Sequence, residues 1–227
     1  MFYLIIFGFL GLSFLVSNRL KSKFKKYSKS PLSSGFNGKE IAERMLHNNG
    51  IYDVQVTCVS GKLTDHYNPA NKTVNLSQEV YHGRNIAAAA IAAHECGHAV
   101  QHQQAYQWLS LRSAMVPITN ASSKIMNIIF FVAIFGGMAI GMNWEIVMMM
   151  VIVAQTVITA FSLVTLPVEF DASNRALAWL QRDHIATPME MGQAEDALKW
   201  AARTYLVAAL ASITTLLFYV MQMGGDE

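Results

Sequence analysis

Long apolar runs alternate with charged segments along the 227 residues of the chain. Four runs, at 1–16, 125–142, 146–168 and 205–223, reach or approach the roughly 20 residues that a helix needs to cross a bilayer. The first run is short, but no basic segment precedes it and no small-residue cleavage site follows it, which favours a membrane anchor over a signal peptide. The hydrophobic pattern therefore predicts a mainly α-helical membrane protein with four transmembrane helices.

The positively charged residues are confined to two blocks. Thirteen of the seventeen Lys and Arg lie between Arg19 and Lys124, and the other four lie between Arg175 and Arg203. The connection between the second and third apolar runs and the C-terminal tail carry only acidic charges. Because basic segments stay in the cytoplasm, we expect a multi-pass protein of the cell (inner or plasma) membrane with both blocks inside. The expected partner of these charges is the lipid bilayer, since no nucleic-acid motif is recognisable.

This division predicts five consecutive segments. They are an N-terminal transmembrane anchor at 1–18, a cytoplasmic part at 19–124, a transmembrane helical hairpin at 125–168, a cytoplasmic helical segment at 169–203 and a C-terminal transmembrane helix at 204–227. The hairpin would return the chain to the cytoplasmic side, so the two cytoplasmic segments can meet there.

Short elements are predicted before the most alanine-rich part of the chain. Asn37, followed three residues later by Glu40, resembles a capping box and predicts a helix up to about residue 47. Alternating polar and apolar residues at 52–59, 63–67 and 73–76 predict a small β-sheet. An edge of this sheet could hold an extended peptide by strand addition, or the sheet could be only a packing element; the sequence leaves both open.

The alanine-rich segment 86–103 is predicted to be a helix, and it carries the most specific chemical pattern in the chain. His94, Glu95 and His98 form the H-E-x-x-H pattern. A spacing of four places both imidazoles on one helix face about 6 Å apart along the axis, where they can bind one Zn²⁺. Glu95 borders the same face and could accept a proton from a water molecule at the metal.

A third ligand is expected from the second cytoplasmic segment. Glu169 follows the third apolar run and Pro167, on the side predicted to carry the two histidines. We expect it at the start of a helix, from which its carboxylate could reach the metal; a carboxylate that only caps this helix is the alternative. Asp171 and Arg175 could support a ligand or pair with each other.

Other residues near the motif are less suited to bind the metal. His102 lies two turns beyond His94, roughly 12 Å along the axis, which is too far to share one zinc ion. The longer metzincin motif needs a glycine and a histidine where this chain has Gln101 and Gln104.

The remaining candidates concern thiols and transition-state stabilisation. Cys58 and Cys96 are expected to be free thiols, because a cytoplasmic segment rarely forms disulfides. His66, Tyr67 and His184 are candidates to stabilise a developing oxyanion, although a solvated surface role is more common for such histidines.

Three segments carry a resemblance to a known family. The sequence His-Glu-Cys-Gly-His-Ala-Val-Gln at 94–101, together with Asp-His-Tyr at 65–67 and Pro-Val-Glu-Phe-Asp-Ala-Ser at 167–173, resembles the YugP-like membrane zinc metallopeptidases. The Glu-x-x-Ala part of the last segment is also similar to the HtpX and CAAX-protease relatives. Those relatives have Asp where this chain has Ser173, so a carboxylate–histidine contact from that position is not expected; Asp171 or Ser173 could substitute.

The resemblance implies a zinc-dependent endopeptidase with one Zn²⁺ per chain. His94, His98 and Glu169 would be the ligands and Glu95 the catalytic base. The implied fold is a cytoplasmic zincin-like (gluzincin-type) α+β metallopeptidase unit, with the small β-sheet, attached to the four transmembrane helices.

We therefore expect a peptide or protein substrate, with the active site facing the cytoplasm. A membrane scaffold or adaptor with a purely structural metal is the alternative, and would need a fourth protein ligand such as His66 or His184. Proteolysis within the membrane ranks lower, because the apolar run before His94 is too short to span a bilayer. The sequence gives neither the physiological substrate nor the oligomeric state.

Overall fold

Seven helices and three strands make up the described part of the chain. The computed structural model describes residues 2–135 and 143–224. In chain order the elements are α1 (Phe2–Tyr27), α2 (Gly38–Asn48), β1 (Gln55–Val59), β2 (His66–Asn68), β3 (Thr73–Ser77), α3 (Gln78–Tyr81), α4 (Ile86–Gln103), α5 (Gln107–Phe135), α6 (Trp144–Arg182) and α7 (Pro188–Met223).

Four of these helices, α1, α5, α6 and α7, are long and apolar enough to cross a membrane. The number of apolar helices predicted from the sequence is thereby confirmed, and so is the small three-stranded sheet. The direction in which each helix crosses, and the five-segment division of the chain, stay predictions. Most of the predicted hairpin connection, at 136–142, and the acidic tail, at 225–227, lie outside the described residues.

The expectation that Glu169 begins a helix was wrong. Glu169 lies inside α6, which continues through Pro167 from Trp144 to Arg182. A proline inside a helix removes one backbone hydrogen bond and costs about 3 kcal/mol or more, which is a local cost in a helix of 39 residues. The carboxylate therefore projects from a continuous helix, whose geometry fixes its direction.

The described chain divides into two compact units. One unit contains parts of all four long helices, and its buried polar contacts join α6 to α7. Gln155 Nε2 donates to the backbone oxygen of Ser212 at 3.2 Å, and the hydroxyls of Thr159 and Ser212 lie 2.8 Å apart. Such bonds satisfy polar groups inside an apolar helix bundle. The described residues of this unit are 2–14, 110–135, 143–166 and 205–224.

The second unit contains the sheet and the main hydrophobic core. It comprises residues 15–109 and 167–204. Its strands lie in the order β1-β3-β2, with β1 parallel and β2 antiparallel to β3. Strand β2 is therefore an edge strand, bonded to β3 on one side only.

Helix α4 lies at the centre of this second unit. Fourteen of its eighteen residues are buried, so it contacts neighbours on nearly every side. Alanine makes this possible, because a methyl side chain lets surrounding elements approach from several directions. The core around α4 includes Ile41 and Met45 of α2, Val74 and Leu76 of β3, and Ala176 and Leu180 of α6.

Side chains cap two helix starts, and the first of these caps is the one predicted from the sequence. The side chain of Asn37 accepts from the backbone N–H of Glu40, and the Glu40 carboxylate accepts from the backbone N–H of Asn37. At α7, the Glu190 carboxylate accepts from both the backbone N–H and the hydroxyl of Thr187. Its other oxygen accepts from the N–H and hydroxyl of Ser33, so this cap also ties α7 to the segment after α1.

Gly97 lies where α4 packs tightly against α6. A Cβ at this position would lie 2.6 Å from the backbone oxygen of Ala172. Because the obstacle is main chain rather than a flexible side chain, a larger residue must push the two helices apart. Gly97 thus permits the spacing of two helices that both carry candidate metal ligands.

We predict that Gly97→Ala destabilises the protein. The added methyl group should cost about 1–3 kcal/mol through overpacking, more than the roughly 0.5–1 kcal/mol gained from alanine's helix preference. The thermal midpoint of the purified full-length protein in detergent should therefore fall.

The matched control is Gly192→Ala in α7, where an added Cβ meets nothing within 4 Å. This variant should leave the midpoint unchanged or raise it. Equal shifts in the two variants would contradict a steric role for Gly97.

Candidate metal centre

The two histidines of the H-E-x-x-H pattern project from the same face of α4. Their ring centroids are 4.8 Å apart, with the rings nearly perpendicular at 82°. Both side chains are largely buried, since His94 keeps 13% and His98 keeps 10% of its side-chain surface exposed. The one-turn spacing predicted from the sequence is thus present within the core of the second unit.

Glu169 of α6 completes this group from a distant part of the sequence. Its Oε2 lies 3.3 Å from Nε2 of His94 and 3.7 Å from Nε2 of His98. Within the described residues, these three form the one group of at least three His, Cys, Asp or Glu side chains that could hold a metal ion. Their ligand atoms all lie within 4.8 Å of one another.

The spacing and chemistry of these three atoms fit zinc. Bonds of about 2.0–2.1 Å in tetrahedral geometry place neighbouring ligand atoms about 3.3 Å apart. The separation of His94 Nε2 from Glu169 Oε2 has this value, and that of His98 Nε2 is only slightly larger. Two imidazole nitrogens and one carboxylate oxygen are also the donor set that catalytic zinc sites use.

The other nitrogen of each imidazole has its own partner. His98 Nδ1 lies 3.0 Å from Oε1 of Gln101, which can only accept, so Nδ1 carries the proton. His94 Nδ1 lies 3.1 Å from the hydroxyl of Ser173. Both rings can therefore present a lone pair on Nε2 to a metal. Of the two substitutes considered for the Asp of the relatives, Ser173 is the one that contacts a candidate ligand.

The charge environment of His98 favours a cation. Burial lowers the pKa of His98, but hydrogen bonding to Glu169 and the nearby charge of Glu95 outweigh it, so the pKa lies above its ordinary value. The same negative charges that stabilise a proton on the ring also attract a metal ion, and the two compete for one nitrogen.

Glu95 is held by the edge of the sheet. Its Oε2 accepts a hydrogen bond of 3.0 Å from the backbone N–H of Tyr67, in β2. That N–H is thus bonded to α4 rather than to β3. Because Glu95 is 8% exposed, this bond provides a donor that the buried carboxylate needs.

A second carboxylate lies near Glu95 without contacting the three candidate ligands. Asp65 accepts from the backbone N–H of Ser77 at 2.7 Å and from its hydroxyl at 3.2 Å. Burial raises the pKa of Asp65, and the charge of Glu95 adds to the rise although the Ser77 bonds oppose it. Asp65 thus anchors the segment before β2 to the end of β3.

The remaining sequence candidates lie outside the group of three. His102 is exposed, and its Nδ1 lies 2.8 Å from the hydroxyl of Tyr67. His66 Nδ1 lies 2.8 Å from the backbone oxygen of Thr64, and His184 follows α6 with a positive φ of 53°. None of these histidines offers a fourth ligand, as the structural-metal alternative would require.

Other predicted features of this unit are also present. Asp171 and Arg175 form an ion pair at 2.5 Å. Cys58 and Cys96 are free thiols, the first exposed and the second buried, as expected.

Comparison with known proteins agrees with this geometry. A family model described as "Putative neutral zinc metallopeptidase" matches residues 2–224. The chain is 42% identical over 229 residues to the "Putative membrane protease YugP" of Bacillus subtilis (strain 168), covering 100% of this chain and 99% of the relative. The chain belongs to this neutral zinc metallopeptidase family. No solved structure matches it. Membership implies a zinc cofactor. The relative is named as a membrane protease, and the four long apolar helices of this chain are consistent with a membrane location.

The contacts of Gln101 and of the Tyr67 backbone were not foreseen. In the sequence, Gln101 stands out as a departure from the metzincin motif and as the last residue of the family-like segment 94–101. Neither observation predicts its contacts, although its position three residues after His98 places it on the same helix face. A backbone donor such as the N–H of Tyr67 cannot be recognised from the pattern of side chains in the sequence.

We predict that Glu169→Ala removes tightly bound zinc. Loss of one of three ligands should weaken binding more than the roughly 10–100-fold that follows loss of a ligand's supporting hydrogen bond. Metal analysis of the purified protein, with a competing chelator, measures this.

Glu145→Ala is the matched control, because it removes an exposed carboxylate from the first turn of the same helix. Its zinc content should equal that of the wild type. Stoichiometric zinc in Glu169→Ala would exclude Glu169 as a ligand.

Proposed function

We propose that this protein is a membrane-bound zinc-dependent endopeptidase that hydrolyses peptide bonds at the cytoplasmic membrane face. The observation that carries the proposal is the convergence of His94, His98 and Glu169, with Glu95 beside them on α4. Family membership and the membrane-protease relative support a protease role. We propose one Zn²⁺ per chain.

The number of ligands favours catalysis over a purely structural metal. Structural zinc sites usually have four protein ligands, whereas catalytic sites have three and leave a position for water or substrate. The described residues supply three, and His66 and His184 lie outside the group. A membrane scaffold with a structural metal is therefore the less supported alternative.

The chain's own residues account for proton transfer. When bound, zinc would supply Lewis acidity, polarising the scissile carbonyl and lowering the pKa of a water molecule. Glu95 would remove a proton from the attacking water and later deliver it to the leaving amine. The Tyr67 N–H holds one carboxylate oxygen and leaves the other to exchange the proton.

We propose that the substrate peptide lies extended beside β2. This strand is an edge of the sheet, and its Tyr67 N–H already points towards the general base. An extended chain aligned with such an edge presents successive peptide groups at regular intervals. We propose the strand-addition role over the packing role that the sequence left open. Because Glu95 occupies the Tyr67 N–H, the peptide would pair with the Tyr67 carbonyl, which points the same way from the strand.

The distribution of basic residues supports the cytoplasmic location. All Lys and Arg except Arg112 and Lys124 fall within the unit that contains the metal centre. Under the positive-inside rule, a unit with this charge stays in the cytoplasm. The protein would accordingly be a multi-pass protein of the cell membrane.

We predict that Glu95→Gln keeps zinc and loses peptide cleavage. The amide retains the size of the side chain but cannot accept the proton, which should lower the rate by about 10²–10⁴-fold. Cleavage of a peptide library by full-length wild-type and variant protein, with zinc content measured in parallel, tests this. Zinc-loaded Glu95→Gln with wild-type cleavage would reject Glu95 as the base.

Topology can be tested with the native exposed thiol. Cys58 lies on β1 in the same unit as the metal centre, whereas Cys96 is buried. We predict that a membrane-impermeant maleimide labels Cys58 in inside-out vesicles and fails to label it in intact cells. Cys58→Ser should abolish the signal. Labelling in intact cells would place this unit outside the cytoplasm.

A further inference from the structure

A fully buried glutamine lies one turn beyond the metal-binding motif. Gln101 has none of its surface exposed. A primary amide has two N–H donors and an acceptor oxygen, and burial is costly unless these groups form hydrogen bonds. A small apolar residue would fill a helix core at lower cost, so the retained amide needs a physical explanation.

The amide of Gln101 connects a candidate ligand on α4 with the part of α6 that carries another. Its Oε1 accepts from His98 Nδ1 at 3.0 Å. Its Nε2 donates to the backbone oxygen of Val168 and to Oδ2 of Asp171, both at 2.8 Å. Val168 precedes Glu169 and Asp171 follows it by two residues, so these bonds flank the third candidate ligand.

The contact continues towards the end of α4. Asp171 Oδ2 also accepts from Nε of Arg175 at 2.5 Å, and the Arg175 guanidinium donates to Oε1 of Gln104 at 2.6 Å. Gln101 and Gln104 occupy the positions where a metzincin would have a glycine and a histidine. In this chain they bind α6, the helix that supplies the carboxylate ligand.

We propose that Gln101 is a positioning residue of the metal centre. It fixes the His98 tautomer, so that Nε2 faces the metal, and it sets the position of Glu169 against α4. This inference rests on the proposed zinc-dependent function but concerns metal binding, which can be measured separately from catalysis.

The two roles require an amide of this length. A methionine would fill a similar volume but would leave the His98 Nδ1–H without its acceptor and α6 without two donors. An asparagine keeps the amide group but is one methylene shorter, so it cannot reach His98 and α6 together. Both substitutions should therefore disturb the metal centre without adding a buried charge.

The test compares zinc affinity in full-length protein purified in detergent. Gln101→Met and Gln101→Asn are titrated against a chromophoric chelator, beside the wild type and Gln103→Met. Gln103 is exposed on the same helix and serves as the matched control. We expect both Gln101 variants to bind zinc about 10–100-fold more weakly and the control to bind normally.

Spectroscopy of the cobalt-substituted protein distinguishes a positioning role of Gln101 from a purely structural one. Cobalt replaces zinc, and its ligand-field spectrum reports the geometry of the bound ligands. We expect the spectrum to change in both Gln101 variants and to stay the same in Gln103→Met. The thermal midpoint of the metal-free protein is measured in parallel. A lower midpoint together with wild-type zinc affinity and an unchanged cobalt spectrum would overturn the positioning role.

The outcomes also distinguish this inference from the proposed function. Wild-type affinity in either folded Gln101 variant overturns the inference, and one folded variant is sufficient for the test. If the wild type binds zinc and the Gln101 variants bind it weakly, but no Glu95-dependent cleavage is found, the proposed function fails and the inference stands. If the wild type binds no zinc, both are overturned.

Discussion

The structure of the unit that holds the candidate metal centre depends on one buried carboxylate close to two imidazoles. Glu169 is 3% exposed, and a carboxylate so buried is costly unless positive charge or N–H donors compensate for it. His94 and His98 lie at 3.3 and 3.7 Å and can provide that compensation, as protonated rings or as co-ligands of a cation. The carboxylate of Glu169 is therefore stable only where α6 lies against the histidine face of α4, which couples the fold to the candidate metal centre.

This requirement accounts for the small residues at the helix contact. Glu169 can approach two histidine rings only if the helix backbones come close together, and close approach excludes large side chains. Gly97 lies between the motif residues on α4, and Ala172 lies one turn after Glu169 on α6. The other small residues of α4, mostly alanines, allow a similarly close approach along the rest of the helix, where α2 and β3 also pack on it. The two variable positions of the H-E-x-x-H pattern are thus constrained here by packing rather than by zinc chemistry.

Local patterns in the sequence predicted the features that depend on neighbouring residues. The spacing of His94 and His98 and the cap at Asn37 involve contacts within four residues, which helix geometry determines. Glu169 was predicted differently, from the order of the apolar runs, which would return the chain to the same side of a membrane. Its position within a continuous helix was missed, because Pro167 is a common helix-start signal and the cost of an internal proline depends on the whole helix.

The contacts that support the centre could not be read from the sequence for a different reason. Gln101 meets Val168 and Asp171 across 67 and 70 residues, and a glutamine on a helix is ordinarily a solvent-facing residue. Its burial becomes evident only when α6 is in place. Ser173 likewise has a small side chain whose partner, His94, is distant in sequence. Residue type predicts which atoms can bind metal, whereas the partners that orient those atoms depend on tertiary contacts.

The β-sheet contacts the candidate metal centre indirectly, through the hydrogen bond between β2 and Glu95. Strand β2 has only three residues, too few to be stable through backbone pairing alone. Asp65, immediately before it, binds both the N–H and the hydroxyl of Ser77 at the end of β3. This anchor fixes where β2 begins, and two residues later the Tyr67 N–H meets Glu95. A shift of β2 by one residue would turn that N–H towards β3, because successive N–H groups of a strand point in opposite directions. The register of the smallest strand therefore determines whether Glu95, the proposed general base, has its donor. This gives the sheet a role at the candidate metal centre beyond covering α4.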